Sequence, residues 1–151
     1  MYGIDRTDSE KDHIVIFFNM GGKDTEVSLV KYSTIIDPSN NKTYEHVEIL
    51  AEASDPYLGG ENLDMILLNM MAERFNDLKE RKGQKDVRES QRTVKRMLKE
   101  AIKVKDILSA NKQMQVKLGE LMDYVSLITT IERKDLEEAA TSFFDRVQYP
   151  I

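Results

Sequence analysis

The chain has 151 residues, 40% of them hydrophobic, and no cysteine. That length suits one core, which at this size hides about 70% of the unfolded surface, and the absence of cysteine excludes disulfides, thiolate nucleophiles and cysteine-based zinc sites. The formal net charge of −5 is unevenly spread: eleven of the 22 Lys and Arg residues lie between Lys79 and Lys105, leaving the remainder strongly acidic.

The first third carries strand patterns. His13 to Asn19 is a short β-branched and aromatic run bounded by the charged segment Asp8 to Asp12 and by Gly21-Gly22, as a buried strand would be. Glu26 to Tyr32 makes a second strand, and the glycines between the runs predict a hairpin. A polar loop, Asp37 to Lys42, leads to a third strand over Tyr44 to Ala53, where Tyr44, His46 and Glu48 alternate with Val47 and Ile49. The expected result is a three-stranded meander.

After Asp55-Pro56 and Gly59-Gly60 the period turns helical. Leu63, Ile66, Leu67, Met70, Met71, Phe75 and Leu78 recur at steps of three and four, so one helix faces the core until Gly83 interrupts it. A second helix is expected from about Gln91 to Leu108, with Val94, Met97, Ala101, Val104 and Leu108 on its apolar face and lysines opposite. Met114, Val116 and Leu118 alternate in a further strand, Val125 to Thr130 form another, and Gly119 with Asp123 supplies the turn between them. Leu136, Ala139, Ala140, Phe143, Phe144 and Val147 then mark one amphipathic helix that Pro150 stops.

Few residues suggest chemistry by themselves. His13 and His46 are isolated, and no metal-ligand set or specific Ser, His and Asp arrangement is present, so no catalytic and no metal residue is assigned. Asn19 to Thr25, with Gly21, Gly22 and Lys23, follows a strand and could let backbone N–H groups approach an anion. It matches neither the P-loop pattern nor the dinucleotide fingerprint, and most glycine turns between strands are only turns. Leu58-Gly59-Gly60-Glu61 reads as a helix entry or an interdomain hinge. The basic run from Lys79 to Lys105 reads as a solvated helix surface; an RNA-binding α+β domain is a third reading that rests on this run alone, and no aromatic residue interleaves it. No apolar run is long enough to span a bilayer, and the start does not read as a signal peptide, so neither a nucleic-acid nor a membrane partner is expected.

Taken in order, several segments resemble the second lobe of the nucleotide-binding domain of the seventy-kilodalton heat-shock proteins. They are Tyr2-Gly3-Ile4-Asp5, Ile14 to Phe18 with Asn19-Met20-Gly21-Gly22, Leu58 to Asp64, Lys105 with Leu108-Ser109, and Leu136-Glu137-Glu138 with Phe144. Arg81 to Gln84, Lys85 to Glu89 and Leu108 to Asn111 look similar to the branch related to the one-hundred-and-ten-kilodalton proteins, with its large glucose-regulated, hypoxia-induced members of the endoplasmic reticulum.

The resemblance implies an α+β to α/β, actin-like (ribonuclease-H-like) ATPase lobe. Residues 1–56 would form the first part of the ribonuclease-H-like subdomain, 57–131 a smaller helical and hairpin subdomain, and 132–151 a C-terminal helix returning toward the first. It implies a parent chaperone that binds ATP or ADP with magnesium, holds unfolded polypeptides and promotes nucleotide exchange on a conventional heat-shock partner. The endoplasmic reticulum lumen is the implied location, with the cytoplasm as runner-up.

Gly21, Gly22 and Lys23 occupy the family's phosphate loop, and Lys105 and Ser109 its adenosine contacts. This sequence also departs from the family pattern. Asn19 replaces an aspartate, Lys23 a glycine, Asp24 a threonine, Ile102 a glutamate and Asp106 an arginine that stacks on adenine. The catalytic loop is thus degenerate, and the isolated chain is expected to show no ATP hydrolysis. The alternative is an actin-fold interaction module that has lost nucleotide binding.

Overall fold

The computed structural model describes residues 12–151, so the Tyr2-Gly3-Ile4-Asp5 motif lies outside the described residues. The chain divides into two compact units. One takes in the described residues up to Gly59 together with Val147–Ile151, and the other is Gly60–Arg146.

The first unit is an antiparallel meander of β1 (His13–Met20), β2 (Thr25–Asp37) and β3 (Lys42–Asp55), in that spatial order. β1 pairs with β2 from His13↔Tyr32 to Met20↔Thr25, leaving the four residues Gly21–Asp24 as the hairpin loop. β2 is longer than the Glu26–Tyr32 run predicted, because β-branched Thr34, Ile35 and Ile36 carry the extended backbone on to Asp37. β3 likewise spans both ends of the Tyr44–Ala53 expectation. A register shift between Leu29 and Val30 changes the pairing from Leu29↔Ala51 to Val30↔Ile49 and leaves Leu50 as the extra residue of β3. One face aligns Ile16 and Phe18 with Leu29 and Val27 and with Ala51 and Ala53; part of it meets Pro150 and Ile151 of the C-terminal segment. Val27, Val30, Tyr32, Leu58 and Pro150 are buried in this unit, whereas Ile14, Ile36 and Ile49 stay exposed.

The second unit holds the larger core. α1 (Gly60–Asn76) packs on α2 (Gln91–Ala110), and α2 on the hairpin of β4 (Gln113–Met122) and β5 (Val125–Glu132). The buried stripe of α1 is Asp64, Leu67, Leu68, Met71, Ala72 and Phe75, rotated from the one predicted, so that Leu63, Ile66 and Met70 are only half-buried. Leu68 and Ala72 are buried instead. Fully burying an aromatic such as Phe75 contributes about 2–3 kcal/mol. α2 starts at Ser90, whose side chain accepts the Thr93 N–H, and it buries Thr93 where Val94 was expected. Between the helices, Gly83 adopts a φ of 76°, a left-handed geometry that a side chain would strain.

Two expectations are corrected in this unit. Gly119 lies within β4 at an irregularity of the ladder, and the turn is made by Asp123 and Tyr124, with φ of 51° and 61° between Met122 and Val125. Two consecutive positive φ values give the tight turn whose twist matches a hairpin. The single C-terminal helix is two, α3 (Arg133–Ala139) and α4 (Thr141–Val147), broken where Ala140 leaves helical geometry and Thr141 Oγ1 donates back to Glu138 O at 2.8 Å. Phe144 is exposed, while Leu136, Ala140 and Phe143 are buried.

Candidate functional site

The glycine loop is held from below. Thr25, fully buried at the start of β2, donates its hydroxyl to the Leu58 carbonyl at 2.7 Å. That bond brings Gly59 against the loop so closely that a Cβ on it would stand 2.6 Å from the Gly22 carbonyl group and the Lys23 nitrogen. Only glycine permits such an approach of two backbones. The Gly21 N–H donates to Asp24 O at 2.8 Å and closes the loop, while Gly22 has open space on its side-chain side. Among the described residues, the N–H groups of Gly22 and Lys23 have no backbone acceptor.

This geometry suits one part of the expected ligand better than the other. Two backbone N–H groups free of backbone acceptors among the described residues, in a loop that also carries a lysine, suit the oxygens of a phosphate. The Asp24 carboxylate works against them, because its Oδ1 would be 3.1 Å from a Cβ on Gly21 and so places negative charge over the start of the loop. Asn19 is exposed at the end of β1, opposite Glu26, and presents a neutral amide. No group of three or more His, Cys, Asp or Glu among the described residues could hold a metal ion.

Lys105 and Ser109 lie in the second unit, one helical turn apart on α2. Lys105 is not a free surface cation. Its ammonium lies 2.8 Å from Asp64 Oδ1 and donates to Oδ2 at 2.9 Å and to the Gly60 carbonyl at 3.1 Å. Asp64 is buried, so this ion pair ties the first turn of α1 to α2 and fixes the ammonium. Ser109 is exposed and donates its hydroxyl to its own helix at Asp106 O, 2.5 Å away, a local bond that a ligand could replace. The structure thus brings Lys105 and Ser109 together on one helix, and Gly21, Gly22 and Lys23 together on one loop of the other unit. Sequence reasoning missed Asp64 as the partner of Lys105 and Thr25 as the anchor of the loop. A carboxylate within an apolar helical stripe was the available signal for Asp64.

Most of the basic run lies on the solvated surface, as expected, with Lys79, Lys82, Lys85, Arg92, Lys95 and Lys99 exposed, but several of its members are committed to structure. Arg81 is buried, contrary to its reading as part of a solvated surface: it pairs with Asp123, donates to Lys85 O at 2.6 Å and lies 5.1 Å from the centre of the Phe75 ring. Arg88 pairs with Asp86 at 2.7 Å, which holds the Asp86 carboxyl well below the ordinary carboxylate range, first through the guanidinium and then through the Arg88 N–H. Arg96 donates to the carbonyls of Gly119 and Glu120 at 2.6 and 2.9 Å and supports the irregular stretch of β4. Lys95, Lys99 and Lys103 remain on the exposed face of α2.

Comparison with known proteins places the class on firm ground. The model of the Hsp70 protein family matches residues 1–151, and the chain belongs to that family. It is similar to Hypoxia up-regulated protein 1 of Xenopus laevis, 36% identical over 137 residues that cover 91% of this chain and 21% of that protein. The protein of the same name from Mus musculus is 35% identical over 144 residues, 91% of this chain and 14% of the relative. Heat shock cognate 70 kDa protein 3 of Dictyostelium discoideum is 30% identical over 151 residues, covering 99% of this chain and 22% of its own length. The chain thus spans about a fifth or less of the curated relatives it matches.

Proposed function

We propose that this chain is the second lobe of the nucleotide-binding domain of a chaperone. On this reading, the full-length protein binds ATP or ADP, holds unfolded polypeptides and promotes nucleotide exchange on a conventional heat-shock partner. The observation that carries the reading is the glycine loop, with the N–H groups of Gly22 and Lys23 lacking a backbone acceptor among the described residues and Gly59 packed against them, in a chain that matches the Hsp70 family over residues 1–151. Lys23 and the loop amides would hold phosphate, and Lys105 and Ser109 would contact the nucleoside. The loop lacks a carboxylate at Asn19 that could take a proton from water, so binding without efficient hydrolysis is expected.

The division at Gly59 and the grouping of Val147–Ile151 with the first unit are compatible with an actin-like reading, although residues 132–146 group with the second unit. In it, residues 1–56 begin a ribonuclease-H-like subdomain, 57–131 make the smaller one, and 132–151 return. The similarity to hypoxia up-regulated proteins supports the endoplasmic reticulum lumen as the location.

Calorimetric titration of ATP and ADP with magnesium into the full-length protein tests the reading; saturable heat that disappears when Gly22 is replaced by a bulky residue is expected. A second reading, an interaction module without nucleotide binding, is favoured by Asp24 over the loop and by the engagement of Lys105 with Asp64. Absence of heat with both nucleotides would select it.

A further inference from the structure

The β2–β3 turn holds two adjacent asparagines with different fates. Asn40 is used by the fold: its Oδ1 accepts the Lys42 N–H at 2.9 Å and its Nδ2 donates to the Tyr44 hydroxyl at 3.4 Å. Asp37 does the same work at the other side, its Oδ1 accepting from the Ser39 N–H at 2.8 Å and from the Ser39 hydroxyl at 2.6 Å. Asn41 contributes only its backbone, donating to Asp37 O at 2.8 Å with a φ of 57° that turns the chain into β3. Its carboxamide is exposed and makes no hydrogen bond among the described residues. The sequence Asn41-Lys42-Thr43 is an acceptor sequon, with a hydroxyl two residues on and no proline between.

We infer that Asn41 is an N-linked glycosylation site, an inference that rests on the lumenal location proposed above. Asn41 Nδ2 would attack the anomeric carbon of an oligosaccharide carried on a polyprenyl pyrophosphate. The new N–C bond forms as the C–O bond to the pyrophosphate breaks, and the amide loses one proton to the medium with no change of oxidation state. A glycan fits this position for two reasons. The turn lies at the opposite end of β2 from the glycine loop, about 40 Å away at roughly 3.3 Å per residue, so the sugar would not obstruct that loop. The ribbon around the turn also runs past the first pair of β1, His13↔Tyr32, and exposes Ile35, Ile36 and Tyr44, which are 51%, 64% and 46% accessible. A hydrated glycan would screen this apolar tip from other chains.

The test uses the full-length protein from its own cells, with protease protection of sealed vesicles measured beside mass spectrometry of the Asn41 peptide before and after peptide-N-glycosidase. A protected protein whose Asn41 is converted to Asp by the glycosidase is the expected result. Asn41→Gln and Thr43→Ala should each abolish the modification, and Thr43→Ser should retain it. A protected protein with unmodified Asn41 would overturn the glycosylation and leave the lumenal location standing. A protein outside the vesicles would overturn both.

Discussion

Replacing Gly59 by alanine separates the role of this glycine from that of its neighbours in the loop. The added methyl would stand 2.6 Å from backbone atoms of Gly22 and Lys23, which are not the ends of flexible side chains. Ordinary contact begins near 3.4 Å, so the two backbones must part by about 0.8 Å, straining the Thr25 to Leu58 hydrogen bond that joins them. Overpacking of this kind costs about 1–3 kcal/mol, which in a domain of this size lowers the melting temperature by roughly 2–10 °C. Gly22→Ala is the control: its Cβ enters open space and its φ is not positive, so its thermal cost should be well under 1 kcal/mol. Thermal unfolding of the full-length variants, followed by ATP titration, distinguishes the two. Gly59→Ala should melt lower and bind more weakly. Equal melting temperatures for the two variants would refute the close packing of Gly59 beneath the loop.

Other expectations follow from the same structure. Arg81→Ala should destabilise by about 2–3 kcal/mol in urea unfolding, since the guanidinium is buried over Phe75 and its loss leaves a gap; Asp123, more than half exposed, should rehydrate at little cost. Asp86→Ala removes both an N-cap and an ion pair, at a cost of about 1 kcal/mol at pH 7, discounted because the pair is more than a third exposed. The folded carboxyl of Asp86 is depressed, so its contribution is present above the unfolded pKa of 3.8 and is lost as the pH falls through the lower folded value. The wild type and Asp86→Ala should therefore converge in stability in strong acid. Asp106→Arg should tighten ATP binding of the full-length protein by up to roughly thirtyfold, about 2 kcal/mol, by restoring a stacking cation, and Lys105→Ala should weaken it; unchanged calorimetric affinity in both would place the nucleotide elsewhere. Phosphate release by the isolated chain should stay at the buffer blank, and a magnesium-dependent rate would contradict the role given to Asn19.

Much of the architecture was legible because the hydrophobic period reports which face is buried. The change from a short apolar run in β1 and alternation in β2 and β3 to steps of three and four in α1 marks the passage from sheet to helix. The run in β1 is nevertheless not the buried strand expected, since Ile14, Ile16, Phe17 and Phe18 are exposed. The same signal cannot see a break that preserves the period: Leu136, Ala140 and Phe143 keep helical spacing across the junction of α3 and α4, although the backbone leaves the helix at Ala140. Turn chemistry misled at Gly119, where a glycine signalled a reversal that Asp123 and Tyr124 make with side chains present. At the candidate site, the glycines were visible as a local motif. The Lys105–Asp64 pair spans 41 residues and Thr25 meets Leu58 across 33, and such distant contacts leave no local pattern.

The unequal interiors of the two units carry a kinetic consequence. Leu67, Met71, Phe75, Met97, Val104, Val116, Leu127 and Ile131 are sealed within the helix and hairpin unit, whereas β3 has no buried residue along its length. Amide protons should accordingly exchange with solvent in a graded sequence. Those of the α1 and α2 interior would wait for global opening, and those near Thr25 would be held by its anchored start. Toward Asp37 and Lys42 the ladder would fray on its own, long before the rest of the chain yields.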